Sequence, residues 1–146
     1  MTPTERAAIA VLEAMNDREL ERIRDLVTDD FVDRGAPPGL VPPGPDGYIG
    51  VLTWVVDVLQ VRYEVLDVIA AGDKVVIRSL AHGVHTSDHL GVPATGLPYA
   101  MPAVHIYRGE GDRLAEHWGL RDEYAVLVQV GALRPKMPDL DAILRS

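Results

Sequence analysis

From Val61 to Arg121 the chain carries segments of strand texture separated by turn signals, and this half of the sequence constrains the fold most. Val61, Tyr63 and Val65 alternate with Arg62 and Glu64 at the period of two that marks a half-buried strand. A turn at Ala71 to Asp73 leads into "KVVIRSLAHGVHTS", which again reads as strand. The glycine- and proline-marked "DHLGVPATGLP" forms a long connection, after which "YAMPAVHIYR" is predicted to pair through "GEGD" with "RLAEHWGLR" as a hairpin.

The residues before this run are helical in texture. Thr2, Pro3 and Glu5 supply an N-cap, a first-turn proline and a capping-box acid, and Ile9, Leu12 and Met15 follow on one face. Asp17 is placed to cap a second helix with Leu20, Ile23, Leu26 and Val27 as its apolar stripe, before "TDDFV" forms a short strand. "RGAPPGLVPPGPDG" cannot be regular and predicts a loop that shapes a mouth or lid. "YIGVLTWVVDVL" then predicts a third helix, apolar nearly all round, that is deeply buried or lines a cavity on one side. "DEYAVLVQVG" reads best as a short closing helix ended by Gly131, although its β-branched residues also permit a strand, and the tail after it reads as one more helical turn. Helices followed by a mostly antiparallel sheet imply an α+β fold: a strongly curved sheet forming a cone, closed by the N-terminal helices, with an apolar interior suited to a small molecule.

Composition excludes several classes of function. With 146 residues, the chain is expected to form a single domain over 1–146. A net charge of −8 argues against a nucleic-acid partner, which requires clustered Lys and Arg. The absence of cysteine removes disulfides, thiolate chemistry and cysteine-ligated metals. The N-terminus is acidic and amphipathic, unlike a secretory signal, and Asp57 and Asp67 interrupt the apolar stretches. A cytoplasmic protein without membrane insertion is the expectation.

Several residues carry candidate chemistry. In an extended strand Glu116, Trp118, Leu120 and Asp122 share one face, which puts the Asp122 carboxylate beyond an aromatic on the apolar side, where burial raises its pKa toward working pH. Its structural alternative is an N-cap for the closing helix. His105 shares a strand face with Met101 and Ala103, and hairpin pairing is expected to bring it beside Trp118 and Asp122; it either serves a substrate carbonyl or is a satisfied core histidine. Trp118 and Trp54 are expected as pocket wall, and Tyr48 and Tyr99 as hydroxyl donors or core. Asp33 on the first strand is a second candidate carboxylate, and Arg78 is read as structural, paired with an acid. Glu116 and His117 are adjacent, so at most one of them faces the pocket together with Trp118. His82, His85 and His89 do not share a strand face, so no metal site is expected.

Arg78, Gly83 and His85, the "GVPATG" loop, His105 and Arg108, "EHW", and Asp122 before Gln129 and Gly131 occur in an order that closely resembles the SnoaL-like polyketide cyclases, within the nuclear transport factor 2-like fold. The resemblance implies that Asp122 is the general acid and base of an intramolecular aldol closure, with His105 as polar partner and His85 among the substrate contacts. Arg34 stands where many relatives have a histidine, altering charge near the pocket mouth. No cofactor is implied, because a carboxylate in an apolar cavity can deprotonate a carbon flanked by two carbonyls. The expected function is ring closure in a polyketide-like small molecule of natural-product biosynthesis. Epoxide opening and a non-catalytic binding module are the alternatives. A homo-oligomer, dimer or tetramer, is expected through an apolar outer sheet face around Val61, Val65 and Ile69 or their opposite-facing neighbours.

Overall fold

The computed structural model describes residues 1–146, apart from the side chain of His89. Helix α1 spans Pro3–Asn16; the Thr2 side chain accepts a hydrogen bond from Glu5 N at 3.1 Å, as the capping sequence requires. Ala7, Ala8, Val11, Leu12, Ala14 and Met15 form its buried face, which lies across the sheet.

The next segment departs from expectation. Asp17 ends α1, Arg18 adopts φ 60°, and a 3-10 helix, Leu20–Asp25, replaces an α-helix. A left-handed residue directly after α1 breaks helical continuity, and Val27 already belongs to strand β1, Val27–Asp33. The proline-rich loop then leads to α2, Pro45–Asp57, which buries Tyr48, Leu52, Val55 and Val56. The four strand segments expected after this helix follow it as long strands: β2, Arg62–Ala71; β3, Lys74–Val84; β4, Pro98–Glu110; and β5, Arg113–Arg121. Helix α3, Glu123–Gln129, and α4, Leu140–Leu144, complete the chain, with Gly131 at φ 78° just beyond α3.

The sheet has the order β1-β5-β4-β3-β2, antiparallel except for the parallel β1–β5 pair, and is not closed into a barrel. Its inner face buries Tyr63, Val75, Ile77, Ala81, Met101, Ala103, His105, Tyr107 and His117 against the helices. Its outer face carries Arg78, Leu80, Val104, Ile106, Trp118 and Leu120.

One irregularity decides which residues face inward. The hairpin turn pairs Glu110 with Arg113 and Gly109 with Leu114, but Arg108 pairs with Glu116, leaving Ala115 as an extra residue in β5. Leu114 and Ala115 are consequently both buried, and beyond the bulge His117 and Gly119 face inward, while exposed Arg121 at the strand end borders both the inner pocket and the outer groove.

Among the described residues no helix is long and apolar enough to cross a membrane.

Candidate functional site

The parallel pairing of β1 with β5 sets Asp33 opposite His117, and Arg34 N donates to His117 O at 2.7 Å. Both side chains point to the concave side and are 5% exposed. His117 Nδ1 lies 2.7 Å from Asp33 Oδ1, which also accepts from Gly35 N at 2.9 Å. His117 Nε2 lies 3.0 Å from His105 Nδ1. Asp33, His117 and His105 thus form one buried chain, backed by Tyr107, whose ring is 4.6 Å from that of His117, and by the Tyr48–Tyr107 hydroxyl pair at 2.7 Å.

Two glycines permit this packing. A Cβ on Gly119 would lie 3.1 Å from His117 Cε1, and one on Gly35 would lie 3.1 Å from Asp33 Oδ1 and 3.3 Å from His117 Cε1. The imidazole occupies space that side chains at these positions would take.

The hydrogen-bond chain fixes the tautomers. Asp33 as carboxylate requires a proton on His117 Nδ1; with His117 as the neutral ring, its Nε2 accepts from His105 Nδ1–H, and His105 Nε2 carries a bare lone pair. That atom is buried with no hydrogen-bond partner. Burial first, then the electrostatic effects of His117 and Arg121, pull the His105 pKa down to about 3 against the opposing pull of Asp33, so His105 is neutral at physiological pH. Burial raises the Asp33 pKa, but the hydrogen bond and electrostatic pull of His117, the Gly35 N–H and the Arg121 charge outweigh it and leave the carboxyl below its usual range. Asp33 is therefore ionised at neutral pH. Its two hydrogen bonds both fall on Oδ1.

Asp33 opens onto a pocket of about 660 Å³. Pro37, Leu40, Val41 and Pro42 of the proline-rich loop form one wall, and Gly47, Gly50, Val51, Trp54 and Val55 of α2 form another. The loop shapes a mouth, and α2 is buried on one side and lines a cavity on the other. Arg121, an exposed residue at the end of β5, lines the pocket with Asp33 and forms no ion pair among the described residues. A carboxylate and a guanidinium in a mostly apolar cavity can move a proton and stabilise the negative charge that results.

The expected site residues divide between this pocket and other places. Asp33 and Trp54 line it. His105 is buried behind it, in contact with His117 rather than with Trp118 or Asp122. Tyr48 is core, its hydroxyl held by Tyr107. Tyr99 is also core: it lies over Gly83 and donates to Leu59 O at 3.5 Å. His85 is buried and pairs through Nδ1 with Thr95 Oγ1 at 2.9 Å, organising the loop between β3 and β4.

The face assigned to β5 needs correction. Glu116, Trp118 and Leu120 lie on the outer surface because of the bulge at Ala115, and Trp118 lines a shallow outer groove with Ile106 and Val104. Asp122 follows this strand, is exposed, and caps α3 by accepting from Ala125 N at 2.9 Å; the residues it lies among, including Leu66, Arg78, Leu80 and Leu120, are on the outer side of the sheet. Arg34 likewise turns outward, 2.6 Å from Glu116, and not into the pocket mouth. Arg78 pairs with Asp67 at 2.6 Å, as its structural reading required. His82 is exposed and 2.7 Å from Glu64, His85 is buried, and the His89 side chain lies outside the described residues. His117 as the centre of the chain, and Arg121, were not assigned site roles from the sequence. The one signal for His117 is that at most one of it and Glu116 can face the pocket.

The family model for SnoaL-like polyketide cyclase matches residues 5–130. Among solved structures, IdmH from Streptomyces antibioticus, described as a "putative polyketide cyclase", is 31% identical, with a TM-score of 0.75 over 90% of this chain and 99% of its own. TsrD from Streptomyces laurentii is 22% identical, with a TM-score of 0.77 over 90% of this chain and 96% of its own. AclR from Streptomyces galilaeus, described as a "putative hydroxylase", is 19% identical, with a TM-score of 0.74 over 98% of this chain and 93% of its own. The latter two likenesses establish shared fold alone. No curated protein matches the chain. The motif order, the curved sheet and the match over residues 5–130 agree: the chain belongs to the SnoaL-like polyketide cyclase family.

Proposed function

We propose that the protein closes a ring in a polyketide-like, carbonyl-rich small molecule by cofactor-independent, aldol-type acid and base chemistry, with Asp33 as the base. The observation that carries this reading is the Asp33 carboxylate at the floor of an apolar pocket of about 660 Å³, held from behind by a buried histidine at 2.7 Å. His117 and His105 are positioning residues that fix its orientation and ionisation, and Arg121 receives developing negative charge. The low pKa of Asp33 makes it a weak base, which restricts the substrate to acidic carbons such as those between two carbonyls. The pocket walls fold the flexible chain so that the enolate carbon meets its acceptor carbonyl.

Solvent deuterium incorporation at the central carbon of ethyl acetoacetate, followed by NMR at mildly acidic pD, tests the base. Wild type should accelerate exchange, and Asp33→Asn should slow the enzymatic part by about 100-fold, the scale of a lost general base. Exchange that survives in Asp33→Asn but is lost in Asp122→Asn would transfer the role to Asp122, as the family resemblance implied.

Epoxide opening is a second reading, because Asp33, Asp46 and Arg121 line one pocket. It is disfavoured because Asp46 is exposed at the rim and bound to Arg24 at 2.7 Å. Labelled water appearing in a diol product would select it.

The assembly in this reading is a homo-oligomer formed through the outer sheet face. Leu120 at 75% exposed and Leu66 at 37% lie with Leu80, Val104, Ile106 and Trp118 on that surface, whereas Val61 is buried and contributes nothing to it.

A further inference from the structure

Beyond Trp54, Val55 and Arg121, which line the large pocket, the same three residues line a second and more enclosed cavity of about 40 Å³. Its other walls are Leu59, Val61, Tyr63, Met101 and Glu123. A volume of this size admits one oxygen-bearing end of a ligand and no ring, since a single water takes about 30 Å³ in the liquid.

Two polar groups there lack protein partners. Tyr63 is 5% exposed, and its backbone N and O are both bonded to the Asn16 side chain, but its hydroxyl makes no hydrogen bond among the described residues. The ring stands edge-on to His105 with centroids 5.1 Å apart. Arg121 is the cation at the junction of the two cavities, and no carboxylate forms an ion pair with it among the described residues. Tyr63 is buried and Arg121 is exposed, and neither the hydroxyl nor the guanidinium is held by a carboxylate, so an oxygen bound between them gains two donors without breaking an existing ion pair.

We propose that this inner cavity is an oxyanion subsite, in which the Tyr63 hydroxyl and the Arg121 guanidinium together hold the oxygen of the enolising carbonyl. The inference rests on Asp33 acting as base and names the groups that stabilise what that base produces. The α-carbon C–H bond breaks and its proton passes to Asp33. The electron pair becomes the carbon–carbon double bond of the enolate, and the carbonyl oxygen takes the negative charge. When the enolate carbon bonds to the second carbonyl carbon, the new alkoxide recovers the proton from Asp33. Arg121 and Tyr63 hold the oxygen through the enolate stage, so substrates are predicted to be linear chains whose reacting carbonyl lies at or near an unbranched end that fits the inner cavity.

The test uses 4-nitrophenol, whose phenolate oxygen resembles an enolate oxygen and whose ionisation is visible by absorbance. Titrated against the folded protein, the bound probe should ionise at lower pH than the free probe. Tyr63→Phe, which preserves shape, should weaken phenolate binding about tenfold, and Arg121→Met should weaken it more, with Arg121→Lys intermediate. Asp33→Asn should act in the opposite direction and tighten phenolate binding several-fold, because it removes a nearby negative charge. Equal phenolate binding by wild type, Tyr63→Phe and Arg121→Met overturns the subsite, as does a bound probe that stays neutral. Failure of Asp33 as base is read separately, in the deuterium exchange of ethyl acetoacetate.

Discussion

Neutral His105 makes the stability of this protein depend on pH in a way that a single substitution should remove. In the native chain His105 takes a proton only near pH 3, against an ordinary value of 6.5. Between these values the unfolded chain binds a proton that the folded chain refuses, so stability falls as pH falls below 6.5. At about 1.36 kcal/mol per pH unit, the loss reaches about 3 kcal/mol two units below that value, and the whole interval is worth on the order of 5 kcal/mol. The cause is structural. Protonation would put an N–H on His105 Nε2, which is buried without an acceptor, and a charge beside His117 and Arg121. His105→Gln keeps a donor for His117 Nε2 and removes the titration. Urea unfolding of both proteins from neutral pH down to about pH 4.5 reads the difference, because every group they share cancels. Wild type should lose about 3 kcal/mol relative to His105→Gln over this range. Two curves that stay parallel would refute the assignment of His105 as the neutral ring. Asp33 adds a loss of the same sign at lower pH: its folded pKa is depressed, so its contribution is present above the ordinary carboxyl value and disappears as pH falls through the folded one.

Three further outcomes follow from close contacts and caps. Gly119→Ala sets a methyl group 3.1 Å from His117 Cε1, so it should tilt the ring and cut deuterium exchange roughly tenfold while the melting temperature changes by only a few degrees. Gly83→Ala meets the Tyr99 ring at 2.5 Å and should cost about 1–3 kcal/mol in urea unfolding, with Gly83→Ala/Tyr99→Leu recovering part of it. Asp122→Ala removes the cap on Ala125 N and should cost about 1 kcal/mol with exchange per folded molecule retained.

Local signals carried much of the fold. The Thr2, Pro3 and Glu5 cap, the alternation from Val61 onward, and the turns at Gly72 and Gly111 are all short-range patterns, and each produced its element. The segment after Asp17 was misread because its apolar spacing fits a helix, while the φ of 60° at Arg18 that interrupts it leaves no trace in composition. The candidate site is partly legible: the sequence names Asp33, His105 and Trp54, but it sets Asp122 on the inner face of β5, whereas Asp122 is exposed and caps α3. That face assignment fails because it counts outward from the turn. With Glu110 opposite Arg113, uninterrupted pairing puts His105 opposite Trp118; the extra residue at Ala115 puts it opposite Gly119 instead. Shifting by one residue exchanges the faces of a strand, so the apolar Trp118 and Leu120 turned outward and the polar His117 inward. Hydrophobicity points the wrong way here because the inner face of β5 carries His117, bonded to Asp33 and His105, while Trp118 and Leu120 lie outside.

The proline-rich loop has a consequence for how a ligand is received. Pro37 and Pro42 in the pocket wall, each followed by a second proline, Pro38 and Pro43, are held near φ −65° by their rings, so this wall has fewer backbone states to give up. Gly44 N bonded to Phe31 O at 2.8 Å ties its far end to β1. A flexible wall would have to be ordered when a substrate arrives, subtracting that entropy from the affinity; this one carries the loss at folding. Selection at the mouth is accordingly by fixed shape, and a chain that does not match it gains nothing from the loop adjusting around it.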